Sequence, residues 1–526
     1  MATQVTEREL PVTGLRDQVA RGLGWKLVSQ VSNQLTQSTV GIILARLLIP
    51  HDFGVAGMAL VFSGFISILT DVSLGAAIIQ RKLVTELDRS TVFWTTVAVG
   101  GLFAAGGVAV SPLVADFFST PQVKPLVAAL SIGFLVTAVG QTQTALLTRE
   151  MQFRSLELRG IAANLAGAAA GIGLAVGGFG PWAIVGQSLC SGAVSSVLLW
   201  FVSPWRPQLV YSFASLRSLG SFGMKTFFSR ILVYLNFQGD NLLVGRYLGS
   251  APLGAYTVAY NVMYLPISRV TTPASNVLYT AFSRIQDDAR RMGEAWLRVN
   301  LMTAALLVPA SLGLAVTASD FVPVVFGQRW HAAAPVLAIL SLGGVAQSLQ
   351  MFNGPVYQAC GKPGLFLRFM FFSTTVTFGG FVIGIHWGLL GVAASFAIAR
   401  NVVLVANTRL ICKTVALDVS KVVRSYVRVV FLAVVMALVV LGLKETSFAA
   451  ALPAGLRLVL LVAVGIVVYV LLIVWRLPEI VRELQSAFGR VFVFAAIGRF
   501  ASIFKRLGRR AGPLRRGRDQ VAEVED

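Results

Sequence analysis

Lys26, Gln30, Asn33 and Gln37 recur at i, i+4, i+7 and i+11, which sets one amine and three amides on a single helical face. Much further along, Lys225, Ser229, Asn236 and Asp240 recur at i, i+4, i+11 and i+15, again on one face. Both stripes interrupt apolar runs, as do Arg269 and Arg400, and the acids that could balance these bases are Asp71 and Asp240. An ionisable side chain at the centre of a membrane-spanning helix costs roughly 2.5–3.5 kcal/mol on insertion scales, so it faces a cavity or a partner. The net positive set predicts a hydrated cavity that attracts an anion such as phosphate. A plainer reading stands beside it. Lys26, Arg46 and Arg246 would reach an interface on long apolar stems, and Asp240 would pair with a neighbouring arginine. Asp71 would cap the break at Thr70-Asp71-Val72-Ser73-Leu74-Gly75, or carry a coupling proton, as Asp240 also could.

Other chemistry finds little support. Cys190, Cys360 and Cys412 form no Cys-x-x-Cys pair, and His51, His331 and His386 are widely separated and fall in predicted external loops. Neither a Gly-x-Gly-x-x-Gly nor a Walker-type phosphate loop is present. We therefore expect no cofactor, no metal and no ATPase within the chain.

The elements that position the polar stripes follow from composition. The 526 residues are 56% hydrophobic and 13% charged, with a formal net charge of +21, and the mean hydropathy is +0.75. That excludes a disordered chain, a fibrous repeat and a water-soluble enzyme of ordinary build. Fourteen runs are long enough to cross a bilayer as helices. The first, second, seventh and eighth (23–48, 53–80, 217–246 and 251–281) are studded with polar residues. With the N-terminus inside, 33 Lys and Arg fall in cytoplasmic segments and four in external loops, Lys124, Arg246, Arg329 and Lys444. This asymmetry supports fourteen spans with both termini inside. It also reassigns the positive surplus from nucleic-acid binding to membrane topology.

The chain echoes itself. Ser29-Gln30 recurs as Ser229-Arg230, Ala45-Arg46 as Gly245-Arg246, and Gly54 as Gly254. The expected fold is all-α and integral to the membrane, with two pseudo-symmetric six-helix bundles related in parallel and two extra C-terminal helices. Such repeats commonly enclose a site opened alternately to each side. The segments are a cytoplasmic start (1–22), a first bundle (23–202), a cytoplasmic linker (203–216), a second bundle (217–411), two added helices (412–475) and a tail (476–526). In the tail Leu484, Phe488, Val491, Phe492 and Ala495 recur at helical spacing among basic residues, which predicts an amphipathic helix on anionic lipid.

Several local stretches resemble bacterial polysaccharide transporters, the exopolysaccharide and O-antigen flippases of the multidrug/oligosaccharidyl-lipid/polysaccharide superfamily. They are Gly24-Trp25, Ala45-Arg46-Leu47-Leu48, Asp52-Phe53-Gly54, the run Asp71 to Gln80, and Thr91-Val92-Phe93-Trp94. In the second half they are Asp240-Asn241-Leu242-Leu243-Val244-Gly245-Arg246, Leu253-Gly254-Ala255-Tyr256 and Leu265-Pro266. The resemblance covers about 20–475 and leaves the tail outside. It implies a V-shaped pair of six-helix bundles in the bacterial inner membrane, moving polyprenyl-pyrophosphate-linked oligosaccharide to the periplasmic leaflet. Partners implied by that role are the lipid-linked oligosaccharide, membrane lipids and a polysaccharide polymerase or export machinery.

On this view Lys26, Lys225, Arg269 and Arg400 line the cavity, with Asn33, Gln37, Asn236 and Asp240 as polar partners. Three alternatives remain: a flippase for a lipid-linked peptidoglycan precursor, a drug/cation antiporter, and a membrane polysaccharide polymerase. The antiporter would want more buried acids. The polymerase would want a sizeable external loop with catalytic groups, whereas the external acids here are the scattered Asp52, Asp116, Asp320 and Glu445.

Overall fold

The computed structural model describes residues 12–70, 75, 78, 79, 81, 84–219 and 224–488. In order the helices are α1 (Val12–Leu47), α2 (Pro50–Thr70), α3 (Glu86–Phe117), α4 (Val123–Arg149), α5 (Phe153–Val176), α6 (Trp182–Val202) and α7 (Phe213–Leu219). There follow α8 (Met224–Leu248), α9 (Ser250–Ser283), α10 (Ala289–Val325), α11 (Ala333–Ser348), α12 (Asn353–Ala359), α13 (Pro363–Gly384) and α14 (Gly388–Thr414). The last are α15 (Val419–Lys444), α16 (Ser447–Ala451), α17 (Ala454–Arg476) and α18 (Pro478–Phe488). No strand occurs among the described residues.

The described residues of each expected span lie mainly in helix, the tenth being α11 and α12 in succession, while 71–74, 76, 77 and 80 of the second and 220–223 of the seventh lie outside the described residues. Nine helical stretches among the described residues are long and apolar enough to cross a bilayer on that ground alone. The polar-studded α1, α8 and α9 are not among them, yet they run for 36, 25 and 34 residues. Their polar faces need a wet or protein-lined environment rather than lipid.

The chain divides into two compact units. One comprises 1–261, 322–336 and 367–399, the other 262–321, 337–366 and 400–526. In the first unit α3 packs along α4 and α5 along α6, while α1 lies on α5 and α2 on α4. Small residues permit close approach: a Cβ at Gly167 on α5 would meet the Gln187 carbonyl of α6 at 2.6 Å.

The segment between α6 and α7 is strapped to the start of α3. Gln208 N and Ser212 N donate to Ser90 Oγ and Thr91 Oγ1, each at 3.1 Å, and Trp94 Nε1 donates to the Gln208 carbonyl at 2.8 Å. Phe93 is ringed by Trp94, Trp200 and Trp205. The Thr91-Val92-Phe93-Trp94 stretch therefore holds a linker. Beneath it, Asp88 closes a capping box with Thr85 and accepts from Arg81 Nη1 at 3.1 Å. Burial opposes the Asp88 charge, but hydrogen bonds from Thr85 and Ser215 together with Arg81 outweigh it and lower its pKa.

The second unit has a continuous apolar core drawn from α10, α12, α14, α15, α17 and α18, centred on Trp296, Phe352 and Tyr357. Asp320 corrects the expectation of a solitary loop acid. Helix α10 continues through the apolar residues Phe321-Val322-Pro323-Val324-Val325 and leaves Asp320 2% exposed within it. Its carboxylate pairs with Lys444 Nζ at 2.9 Å and with the Arg457 guanidinium, so α15 and α17 are both pinned to α10. At the other end Arg298 pairs with Glu483 of α18 at 3.0 Å, and Ile480 and Val481 of α18 are buried in the core. The remaining tail residues from 489, and the side chains of Leu484 and Phe488, lie outside the described residues.

Candidate functional site

On α1, Lys26 and Gln37 are exposed and Gln30 and Asn33 half-buried. Asn33 also serves the first unit. Its Nδ2 donates to Ser29 Oγ at 3.2 Å, and its Oδ1 accepts from Asn164 Nδ2 at 2.8 Å. Ser191 Oγ in turn donates to Asn164 Oδ1 at 3.2 Å, so one chain of hydrogen bonds ties α1, α5 and α6. Lys26 lies two turns from Asn33 on that face, leaving its amine free of this network. Arg154 of α5 lies over the Trp25 ring at 5.5 Å, fixing the start of the stripe.

Asn236 and Asp240 are brought together on α8. Asp240, 3% exposed, accepts from Tyr256 Oη at 2.8 Å and from the Asn241 backbone at 2.8 Å. Asn236 Nδ2 donates to Thr374 Oγ1 of α13 at 3.0 Å. Thr377, one turn further along α13, is also buried, and its hydroxyl has no hydrogen-bond partner. Asp240 and Asn236, one turn apart on α8, thus bond hydroxyls of α9 and α13 respectively. Tyr256 is stacked on Tyr260, and Tyr260 meets Phe396 edge-on. A buried carboxylate is a group that can take up a proton. Among the described residues no group of three His, Cys, Asp or Glu side chains is placed to hold a metal.

Arg269 and Arg400 belong to the second unit. Arg400 on α14 is 7% exposed and lies within electrostatic range of Tyr264 on α9. Arg269 is half-buried on α9, five positions beyond Tyr264, and its Nε has no hydrogen-bond partner. Asp71 and the side chain of Lys225 lie outside the described residues.

One further polar face carries no charge and is composed chiefly of hydroxyls and phenols. Thr257, Asn261, Tyr264, Ser268, Ser275 and Tyr279 follow one another on α9 at i, i+4, i+7, i+11, i+18 and i+22, and every one is half-buried or exposed. Other spans expose many aliphatic and phenylalanine side chains, such as Leu102, Phe371, Phe431 and Ile466. A row of hydroxyls, an amide and phenols on a spanning helix is the composition of a water-lined face. The signal lay in the sequence, in uncharged residues.

Two further cavities differ in character. One of about 760 Å³ between α2, α4 and α6 is lined by apolar groups with Ser67, Thr137, Gln141 and Ser188. The other, of about 420 Å³, lies among α10, α15, α17 and α18 and is almost wholly apolar.

Comparison with known proteins agrees with this architecture. Residues 43–335 match the family model described as polysaccharide biosynthesis protein. The chain is 31% identical over 395 residues to the lipopolysaccharide biosynthesis protein WzxC of Escherichia coli, covering 73% of this chain and 79% of that one. It is 27% identical over 469 residues to the succinoglycan biosynthesis transport protein ExoT of Rhizobium meliloti, covering 89% and 94%. Among solved structures it is similar in fold to a lipid II flippase MurJ in an inward closed conformation. The TM-score there is 0.69 at 13% identity, covering 85% of this chain and 98% of that one. An inward-facing multidrug resistance transporter of the MOP superfamily gives 0.59 at 16% identity, covering 73% and 94%. The chain belongs to the polysaccharide biosynthesis protein family, and its all-α fold is similar to those of the two solved transporters.

Proposed function

We infer that the protein is a flippase for polyprenyl-pyrophosphate-linked oligosaccharide. It would carry these units from the cytoplasmic to the periplasmic leaflet of the inner membrane by alternating access, for exopolysaccharide or lipopolysaccharide synthesis. Both termini would lie in the cytoplasm, as the division of 33 bases inside against four outside favours. The observation that carries this reading is the pair of polar faces on α1 and α9, each running over several helical turns of a described spanning helix. The relatives named for lipopolysaccharide biosynthesis and succinoglycan transport supply the cargo class.

The chemistry divides naturally. A pyrophosphate and its sugars cannot cross hydrocarbon, whereas the prenyl chain can remain in it. Lys26, Lys225, Arg269 and Arg400 would neutralise the pyrophosphate, and Asn33, Gln37 and the α9 hydroxyls would meet the sugars. The apolar cleft among α10, α15, α17 and α18 has the chemistry of an isoprenoid chain. Replacing Lys26 and Lys225 together by alanine is expected to reduce polymer export about tenfold or more while membrane abundance stays unchanged. Parental export from that variant would reject the cavity assignment.

Asp240 is the favoured coupling site, with Asp71 the second candidate. Asp240→Asn keeps an acceptor for Tyr256 but can neither take up a proton nor balance a cation. Transport by this variant is expected to stop responding to an imposed proton or sodium gradient while gradient-free exchange persists. A response equal to the parent's would remove Asp240 from coupling.

A further inference from the structure

Arg46 and Arg246 each sit in the last turn of their helix, α1 and α8, and are equivalent in the internal repeat. Neither reaches simply for an interface. Arg46 donates from Nε to the Val325 carbonyl at 2.9 Å and from Nη2 to the Val324 carbonyl at 2.5 Å. Arg246 donates from Nη1 to the Phe117 carbonyl at 2.6 Å and to Ser119 Oγ at 2.8 Å, with its guanidinium over the Phe117 ring. Val325 ends α10 and Phe117 ends α3. The first span of each repeat thus holds the C-terminus of the third span of the other. The last carbonyls of a helix lack intrahelical donors and carry its negative dipole end, so a guanidinium there makes charge-assisted bonds.

Between the two clamps the chain crosses itself with the same reciprocity. Gly54 of α2 lies against the Ser250 backbone, and Gly254 of α9 lies against the Pro50 backbone. His51 Nδ1 bonds Ser250 Oγ at 2.7 Å, and the fully buried Trp330 donates to the Ala45 carbonyl at 2.7 Å with Phe53 edge-on at 5.0 Å. All of this lies at the helix ends that the charge distribution places outside.

We propose that Arg46 and Arg246 are paired positioning residues for translocation, a latch that holds the outer end shut and must release at both clamps before cargo can leave. The latch rests on the alternating-access reading, but its test needs no cargo. The full chain would carry alanine at Cys190, Cys360 and Cys412 and one reporter, Thr257→Cys, one turn beyond Gly254. In right-side-out vesicles a membrane-impermeant maleimide is expected to label this reporter about tenfold faster or more in the R46A/R246A double variant. R46K/R246K is expected to stay within about threefold of the parent, because lysine keeps a charged donor for the same carbonyls.

A second reporter, Ser268→Cys in inverted vesicles, is expected to label more slowly in the double alanine variant, since molecules open outside are closed inside. Labelling of Thr257→Cys at the parental rate in the double alanine variant would overturn the latch. A rise at both reporters, which marks general loosening, would also overturn it. A wrong cargo assignment would leave both labelling results as they are, and would appear instead as absent flipping by the parent.

Discussion

Replacing Gly54 by alanine is expected to disable the protein, and so is replacing Gly254, whereas alanine at Gly57 should be tolerated. A Cβ at Gly54 would stand 1.7 Å from the Ser250 carbonyl oxygen, and one at Gly254 would stand 1.9 Å from the Pro50 carbonyl oxygen. At Gly57 the nearest atom would be a Leu253 methyl at 3.7 Å, an ordinary contact. Overpacking costs about 1–3 kcal/mol where side chains can shift. The obstacle at Gly54 and Gly254 is backbone, so two helices must separate and the cost exceeds that range. Their separation would also pull His51 from Ser250 and disturb the clamps at Arg46 and Arg246. Export by G54A or G254A is expected to fall about tenfold or more, with loss of thermal stability in the purified protein. Equal export from G54A and G57A would show that the crossing does not constrain the fold.

Asp320→Ala carries the second large expectation. Removing one partner of a buried ion pair leaves the other charge uncompensated and costs about 3–5 kcal/mol when the site is fully dry. The side chains of Lys444 and Arg457 are 19% and 28% exposed, so solvent recovers part of that and about 2–3 kcal/mol is expected. The loss falls on one place, the attachment of α15 and α17 to α10. Thermal unfolding in detergent should begin at lower temperature, and protease should cut the 445–453 connection sooner than in the parent. Asp320→Glu, which keeps the charge, should recover most of the stability. An unchanged unfolding temperature in the alanine variant would mean that core packing alone holds the two helices.

The long helices were legible because most of them carry an apolar run long enough to cross a bilayer. The repeat was legible through Arg46 and Arg246, Gly54 and Gly254, whose shared spacing reflects shared roles in three dimensions. What those arginines bond was not legible, since their carbonyl partners lie more than a hundred residues away. The same holds for Asn33, whose partner Asn164 comes from α5. Asp320 falls outside the expected span because a single acid reads as the end of an apolar run, whereas the run resumes at Phe321 and its partners Lys444 and Arg457 are remote in sequence. The α9 face was missed for a different reason: hydroxyls and phenols cost little to insert and stand out only when their spacing is counted. Lys26, Asn33 and Gln37 fell on one face as local periodicity requires, and Asn236 and Asp240 converged on α8 for the same reason.

The central claim is that the protein moves an anionic, sugar-bearing lipid between leaflets. The direct measurement is made on purified protein in liposomes, loaded with a fluorescent polyprenyl-pyrophosphate oligosaccharide in one leaflet. Its arrival in the other leaflet is read by a membrane-impermeant quencher. Transfer well above protein-free liposomes, and close to background in the Lys26/Lys225 double alanine variant, is the predicted result. Background transfer of the lipid-linked oligosaccharide by the parental protein, alongside measurable transport of a small organic cation, would contradict it.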